Sequence, residues 1–230
     1  MLDIGITYIY HSGFAVETNE SQLIFDYYSG SVNLRDKSTY VFCSHNHADH
    51  YNAEIFTWFD KVPGIQYILS SDIINDKHLL AQKDKIAFID PYEEKIIKNI
   101  NVKSFGSTDE GISFLVKCDG INIFHAGDLN WWHWADDIPE EIEKAERGFR
   151  EEIAIIKGEP IDIAFFPVDP RLGQNYYLGA ELFINEIKPR FFVPMHFWDN
   201  YEIIEKLKEK MKASPTQIIE ISCRGQEIKL

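Results

Sequence analysis

The segment from Ser44 to His50 places three histidines and one aspartate within six residues, directly after the apolar run 40–43. Imidazole nitrogens and carboxylate oxygens are ligands that suit zinc and its neighbours in the first transition row. A segment that served only solubility would carry Lys and Glu, because histidine is scarce and titrates near neutral pH. The segment therefore predicts a metal site rather than a solvated turn, and its candidate ligands are His45, His47, Asp49 and His50.

Two further apolar runs end in residues that can bind a metal. The run 121–124 leads to Asp128, and the run 190–193 leads to His196. In isolation, Asp128 would be interpreted as a turn residue and His196 as a packed histidine. Because strand ends can meet at one edge of a layered sheet, their joint placement favours a site shared with the histidine-rich segment.

Two other polar residues lie at predicted strand ends. Asp26 ends a strand predicted at 23–26, and it either orients a ligand from behind or is an ordinary turn carboxylate. His11 lies between strands predicted at 4–10 and 14–17, and it is interpreted as a structural or surface histidine rather than a ligand.

The elements that must position these residues follow from periodicity and turn signals. Further strands are predicted at 66–70, 86–89, 102–105, 112–118, 121–124 and 161–166, and helices at 52–59, 178–187 and 200–211. Another helix should begin at Asp137, because Asp137 and Glu140 form a capping box around Pro139. No composition shift marks a linker, so the sequence predicts one domain over residues 1–230.

Composition limits the classes of protein and partner. The chain has 230 residues, 45% of them apolar, and no apolar run approaches the ~20 residues of a membrane span. Its start does not resemble a signal peptide and three cysteines are too few for a disulfide framework, so we expect a cytoplasmic enzyme that does not bind membranes. The net charge of -14 argues against nucleic acid and favours a small-molecule substrate; a homo-oligomer stays open.

The chain resembles the metallo-β-lactamase superfamily. Its HxHxDH signature is matched by His45, His47, Asp49 and His50, its GD by Gly127-Asp128, and its late histidine by His196. Residues 11–14, 23–26 and 193–196 resemble the branch that includes ascorbate-6-phosphate lactonase. The resemblance implies a four-layer αββα sandwich with metals between two sheets. It also implies one metal on Asp49, His50 and His196, with Asp128 bridging to a second metal on His45 and His47.

The chain departs from this family at one ligand. Where the family supplies a third histidine to the second metal, this chain has Ser107, a weak ligand, followed by Asp109 at a spacing that does not match. His125 and His133 are further candidate donors near Asp128. Counting ligands predicts unequal affinities, with the position formed by Asp49, His50, Asp128 and His196 the tighter one.

The chemistry expected is hydrolysis of an ester, lactone or phosphodiester by a metal-activated hydroxide. One or two divalent ions are expected, zinc in preference to manganese or iron. By the resemblance, Asp49 orients the hydroxide and passes its proton to the leaving group. With only one ion bound, His45 and His47 become available for proton transfer.

A substrate pocket is indicated by aromatic residues beside the candidate ligands. It would be lined by Trp131, Trp132, His133 and Trp198, although ordinary packing explains these residues equally well. Arg171 could hold an anionic substrate group with two hydrogen bonds, or form a surface salt bridge.

Three functions remain open at this point. The first is a hydrolase of a small cytoplasmic metabolite. The second is a nuclease or cyclic-nucleotide phosphodiesterase, of which the acidic balance disfavours the nuclease. The third is a catalytically impaired metal-binding sensor or scaffold, which the missing histidine keeps open.

Overall fold

The computed structural model describes residues 3–62, 64–78 and 83–230, and within them two sheets of seven strands lie face to face. In chain order the strands are β1 Gly5–Tyr10, β2 Gly13–Glu17, β3 Ser21–Phe25, β4 Ser38–Cys43, β5 Gln66–Ser70, β6 Ile86–Ile89, β7 Glu94–Ile97, β8 Ile100–Phe105, β9 Ser113–Cys118, β10 Ile121–His125, β11 Ile163–Pro167, β12 Phe191–Met195, β13 Gln217–Ile218 and β14 Glu227–Lys229.

Each sheet has an antiparallel half and a parallel half. The first sheet has the order β14-β1-β2-β3-β4-β5-β6, and it is parallel from β3 to β6. The second has the order β13-β12-β11-β10-β9-β8-β7, and it is parallel from β10 to β13. Because parallel strands end at the same edge of a sheet, the residues that follow β3 and β4, or β10, β11 and β12, become neighbours.

Alternation along the strands separates the layers. The ring of Phe165 on β11 lies 4.6 Å from that of Phe14 on the first sheet, whereas the ring of the next residue, Phe166, lies 4.7 Å from Phe183 on a helix. The three α-helices are α1 Pro139–Ile156, α2 Leu178–Ile187 and α3 Glu202–Lys210. Phe149 of α1 also packs on Phe166, so helices cover the outer face of the second sheet.

The outer face of the first sheet is covered by 3-10 helices. In the 3-10 helix Ala53–Asp60, residues Ile55, Phe56 and Trp58 are buried against apolar residues of β4 and β5. Others span Ser71–Asn75, Lys83–Lys85 and, on the second sheet's side, Pro170–Asn175. The four-layer sandwich predicted from the sequence is confirmed, with this outer layer built from 3-10 turns rather than an α-helix.

The start of α1 differs from the prediction. The helix begins at Pro139, its N-cap is Ile138, and no side chain caps it. The predicted capping box of Asp137 and Glu140 is therefore wrong: proline, with its fixed φ and no N–H, takes the first helical position, which leaves Asp137 one residue too early to cap. The strands 66–70 and 86–89 and the helix 178–187 have their predicted bounds. No helix among the described residues combines the length and apolarity needed to cross a bilayer.

Candidate metal centre

The loop that follows β4 gathers the histidines of the HxHxDH segment. The backbone N–H groups of His50 and Tyr51 both donate to the carbonyl of His47, at 3.0 and 2.9 Å, which closes the loop into a tight turn. The His45 ring consequently lies 4.6 Å from that of His47 and 4.2 Å from that of His50. His45 and His50 are buried, Asp49 is half-buried and His47 is exposed, so the loop has a buried base and an open side.

Asp128 lies between this loop and His196. Its Oδ1 is 3.1 Å from His50 Nε2 and 3.4 Å from His196 Nε2, and its Oδ2 is 3.5 Å from His45 Nε2. Two ligands about 2.1 Å from one tetrahedral ion lie about 3.4 Å apart. The spacing would therefore suit metal ions held between these atoms, and the two oxygens of Asp128 face different histidines.

The potential ligand atoms form two groups, in each of which all atoms lie within 4.8 Å of one another. We call the group of His11, Asp49, His50 and His196 the inner group, and that of His45, His47 and Asp128 the outer group. The structure thus brings together all six predicted ligands and adds His11. From the sequence, His11 was expected to be a structural or surface histidine. The structure instead places it among the potential ligands.

Sharp changes of chain direction put these side chains at the centre. His11, Asp26 and His196 have φ values of 58°, 42° and 62°, in the left-handed region that costs a non-glycine residue about 1–2 kcal/mol. The backbone N–H of His196 donates to the carbonyl of His11 at 3.2 Å, which joins the end of β12 to the turn after β1. Such strain is common at functional sites and persists where surrounding contacts enforce it.

Several buried polar atoms at the centre have no hydrogen-bond partner among the described residues. These atoms are Nε2 of His11, His45, His50 and His196, and Oδ1 of Asp128. The contact of 3.1 Å between His50 and Asp128 lacks the alignment of a hydrogen bond. A buried polar atom left unpaired costs about 1–3 kcal/mol, which divalent cations between them would offset. Their types, nitrogen and carboxylate oxygen, fit a first-row transition metal.

A second layer of carboxylates fixes the orientation of the imidazoles. Asp26, fully buried after β3, accepts from His50 Nδ1 at 2.8 Å and from the N–H and hydroxyl of Ser44 at 2.7 Å each. Since Ser44 Oγ donates to Asp26, it accepts from His45 Nδ1 at 2.9 Å. Both rings therefore turn Nε2 toward the centre, as metal-binding histidines do. Of the two interpretations of Asp26, the structure supports the orienting carboxylate.

Asp169 orients the ring of His196 in the same way, although no sequence pattern selected it as a functional residue. It follows β11, is fully buried, and accepts from His196 Nδ1 at 2.9 Å. Arg171 donates to Asp169 through Nε at 2.8 Å and through Nη2 at 2.5 Å. Of the two roles considered for Arg171, the structure therefore shows the salt bridge, because both nitrogens of one guanidinium edge are engaged. The strand-end rule that selected Asp128 could also have selected Asp169.

The charges of the centre depend on its carboxylates. Burial lowers the pKa of His11 and of His45 to about 4 each, so both rings are neutral near pH 7. Burial also opposes the charging of His50, but Asp128 and Asp26 outweigh it and raise its pKa to about 10. The imidazole of His11, 3.4 Å from the Asp49 carboxylate, is the largest cause of the lowered pKa of Asp49. A cation that binds here would replace the proton of His50 and meet an ionised Asp49.

The loop after β8 contains Ser107, the predicted weak ligand. Ser107 and Asp109 both line the cleft over the centre, and Ser107 Oγ accepts from the N–H of Asp109 at 3.3 Å. Burial and the charge of Asp128 raise the pKa of Asp109, but its carboxylate belongs to neither ligand group. The outer group therefore has fewer protein ligands than the inner one.

His125, one further candidate donor, has both ring nitrogens in hydrogen bonds with the backbone. Its Nε2 donates to the carbonyl of Ser12 at 2.9 Å, and its Nδ1 accepts from the N–H of Gly127 at 3.2 Å. Neither nitrogen is free for a metal, so the structure excludes His125 as a donor in this conformation. His133, the other candidate, does not line the cleft.

A cleft of about 550 Å³ opens over the outer group. Its base is formed by His47, Asp49, Asp128 and His196, and its sides by the loop 107–109, Trp132, Trp134, Arg171 and one face of α1. The residues of α1 and of the segment before it that face the cleft are mostly acidic: Asp137, Glu141, Lys144, Ala145, Gly148, Glu151 and Glu152.

Three of the predicted pocket residues lie outside this cleft. Trp131 packs on the core with its ring 5.1 Å from the guanidinium of Arg150, and the His133 ring lies 6.4 Å from Trp131. Trp198 lies behind the centre, with its ring 4.0 Å from that of His11. Trp132 and Arg171 do line the cleft, and Trp134 joins them. Adjacency in sequence to a ligand did not decide which tryptophan faces the cleft.

Comparison with known proteins agrees with this architecture. Residues 5–138 match the family described as "Beta-lactamase superfamily domain". The chain is similar to a UPF0173 metal-dependent hydrolase of Opitutus terrae, with 24% identity over 219 residues that cover 86% of each chain. It is also similar to one of Pyrococcus furiosus, with 25% identity over 215 residues that cover 84% of each.

The fold has a close counterpart among solved structures. Igni18, described as a novel metallo hydrolase from the hyperthermophilic archaeon Ignicoccus hospitalis, superposes with a TM-score of 0.69 at 17% identity. The match covers 99% of this chain and 98% of that one. At this identity the likeness concerns the fold alone.

Proposed function

The chain belongs to the beta-lactamase superfamily, and from its two adjoining ligand groups we propose that it is a metal-dependent hydrolase of a small ester or lactone. The observation that carries the proposal is Asp128, whose two oxygens face different histidines at the base of an open cleft. The names of its relatives, metal-dependent hydrolases, support it. Residues 1–230 would act as one metallo-hydrolase domain.

Six side chains would hold the metal. Asp49, His50 and His196 lie around one position, His45 and His47 around a second, and Asp128 between the two. We favour zinc, with manganese or iron as the alternatives, because the donors are imidazole and carboxylate. One or two divalent ions held here would polarise a substrate oxygen and lower the pKa of water to about 7.

Asp49 is the best placed residue for moving a proton. Its carboxylate is half-buried and lines the cleft, and its pKa is held well below the usual range, first by the neighbouring imidazole of His11, whose Nε2 lies 3.4 Å away. It is therefore ionised at neutral pH, so that it can orient an attacking water, accept a proton from that water and pass this proton to the leaving group. His45 and His47 would take over proton transfer if the outer position held no ion.

The charge of the cleft favours a neutral substrate. Asp109, Asp137, Glu141 and Glu151 face it, while Arg171 is held by Asp169 and Lys144 lies 3.9 Å from Glu141. A neutral ester or lactone is not repelled by these carboxylates as it approaches the centre, whereas an extended polyanion is. Lactones belong among the test substrates because of the resemblance to the ascorbate-6-phosphate lactonase branch.

The proposal is tested by metal analysis joined to a substrate panel. Protein purified without added metal is analysed for bound elements, loaded with zinc, manganese or iron, and offered a lactone, a carboxylic ester and bis-p-nitrophenyl phosphate. We expect turnover of the lactone or the ester that disappears with a chelator and returns with metal. Asp128→Asn is the matched control, because it should lose both metal and turnover while keeping the side-chain volume.

The outcomes separate the functions. Preference for the phosphodiester would favour a phosphodiesterase over the proposed carbonyl hydrolase. No turnover of any substrate by fully metal-loaded protein would overturn the proposal and favour a metal-binding scaffold.

A further inference from the structure

His11 lies at the centre without belonging to the histidine-rich segment. It occupies the turn between β1 and β2, and its side chain is completely buried. Its backbone is held on both sides: the N–H donates to the Tyr8 hydroxyl at 3.0 Å, and the carbonyl accepts from the His196 N–H at 3.2 Å. The position of the ring is therefore set by β1 and β12 together.

The ring faces the other members of the inner group. Its Nε2 lies 3.4 Å from Asp49 Oδ2, and its centroid lies 4.1 Å from that of His196 and 5.6 Å from that of His50. The ring of Trp198 packs on it with a centroid separation of 4.0 Å. The polar groups beside the ring are thus Asp49, His196 and His50, the other members of the inner group.

His11 differs from His125 in the hydrogen bonding of its ring. Both histidines are completely buried, but both nitrogens of His125 have backbone partners, whereas neither nitrogen of His11 has any partner among the described residues. A histidine kept for structure alone would be expected to use its nitrogens as His125 does. The free nitrogens of His11 lie instead among three other potential ligands.

We propose that His11 is a metal ligand of the inner position, together with Asp49, His50, His196 and Oδ1 of Asp128. The inference rests on the proposed function, since it requires that a metal is bound. It gives the inner position five protein ligand atoms and the outer position three: His45, His47 and Oδ2 of Asp128. The two positions are therefore unequal, and the inner one fills first at limiting metal.

The test is cobalt binding by His11→Gly. Glycine accepts the φ of 58° at this position without strain, so the backbone should be retained while an imidazole-sized space opens. Co(II) absorbs visible light in a way that depends on its ligands, which gives a readout separate from activity. We expect the variant to bind the first cobalt at least about tenfold more weakly with an altered spectrum. Added imidazole should restore both, and the same imidazole should leave the wild type unchanged.

Two further variants complete the design. His11→Gln keeps most of the side-chain volume and should also weaken cobalt binding, because an amide is a poor ligand for this metal. His133→Gln, a change at a histidine that belongs to neither group and does not line the cleft, should keep the affinity and spectrum of the wild type.

The results distinguish this inference from the proposed function. Wild-type affinity and spectrum in His11→Gly, or in His11→Gln should the glycine variant not fold, would overturn the role of His11 while leaving a metal-dependent hydrolase in place. A wild-type protein that binds no cobalt, zinc, manganese or iron would overturn both.

Discussion

At the scale of single residues, the metal centre depends on carboxylates that are not themselves potential ligands. Asp26 and Asp169 each accept a hydrogen bond from the Nδ1 of one histidine, and each is completely buried. Because the carboxylate fixes the ring, Nε2 of His50 and His196 can point only toward the centre. The binding of a metal should therefore be sensitive to residues that do not touch it.

Asp169→Asn tests this dependence. The amide retains the shape of the carboxylate but weakens the hold on both His196 and Arg171, so we expect metal affinity to fall about 10- to 100-fold. Chelator competition with zinc measures the change. Arg171→Gln, which does not touch His196, should have a smaller effect; an affinity for Asp169→Asn within twofold of wild type would contradict the orienting role.

His125 links stability to pH. Burial lowers its pKa, with Asp26 as the main opposing charge, so it stays neutral in the fold and takes up a proton on unfolding. The unfolded chain then binds more protons below about pH 6.5, and the free energy of unfolding falls as the pH falls, by up to about 1.4 kcal/mol per pH unit. Urea unfolding of the metal-free protein between about pH 5.5 and 7 should show a steeper dependence for wild type than for His125→Gln. Equal slopes would mean that His125 does not cause the effect.

At the scale of elements, the edge shared by parallel strands explains what the sequence could predict. The strands before His45, Asp128 and His196 are apolar runs that stop abruptly, and their ends do meet. His11 could not be selected in the same way, because its turn lies in an antiparallel pair and only the stacking of the two sheets brings it beside His196. Which tryptophans line the cleft could not be predicted either, because it depends on the conformation of a loop, and a loop has no periodic sequence pattern.

The turn between β10 and Asp128 needs glycine for space as well as for conformation. Gly127 has a φ of +53°, and a Cβ there would lie 2.7 Å from the Ile112 carbonyl oxygen and 2.8 Å from Ser44 Cβ. Gly120 has a φ of +81° with nothing within 4 Å, so it isolates the conformational cost alone.

Alanine at these two positions separates the two effects. Gly120→Ala should lower the free energy of unfolding by about 1–2 kcal/mol. Gly127→Ala should cost about 1–3 kcal/mol more through overpacking, and it should weaken metal binding because Asp128 is the next residue. Urea unfolding and zinc titration measure both quantities; equal costs would show that the turn can move away from Ser44.

At the scale of the whole molecule, a net charge of -14 coincides with an acidic cleft. The negative side of the cleft comes mainly from α1, whose Glu141 and Glu151 face it while Glu143 lies on another surface of the helix. The bound metal would attract the reacting oxygen of a substrate, but the remainder of the substrate meets these carboxylates.

Neutralising this side should change the preference between substrates. The variant Glu141→Gln/Glu151→Gln should raise kcat/KM for the anionic bis-p-nitrophenyl phosphate about two- to fivefold at low ionic strength, and less at high salt. A neutral ester should be unaffected, and Glu143→Gln should change neither substrate. An equal gain with both substrates would point to altered cleft shape rather than charge.

Strand ends from both sheets assemble one metal centre around Asp128. Anomalous diffraction from crystals of the zinc-loaded protein locates bound ions directly. We predict one strong peak within reach of His11, Asp49, His50, His196 and Asp128, and a weaker one within reach of His45, His47 and Asp128. Fully loaded crystals with no zinc peak beside Asp128 would contradict the account.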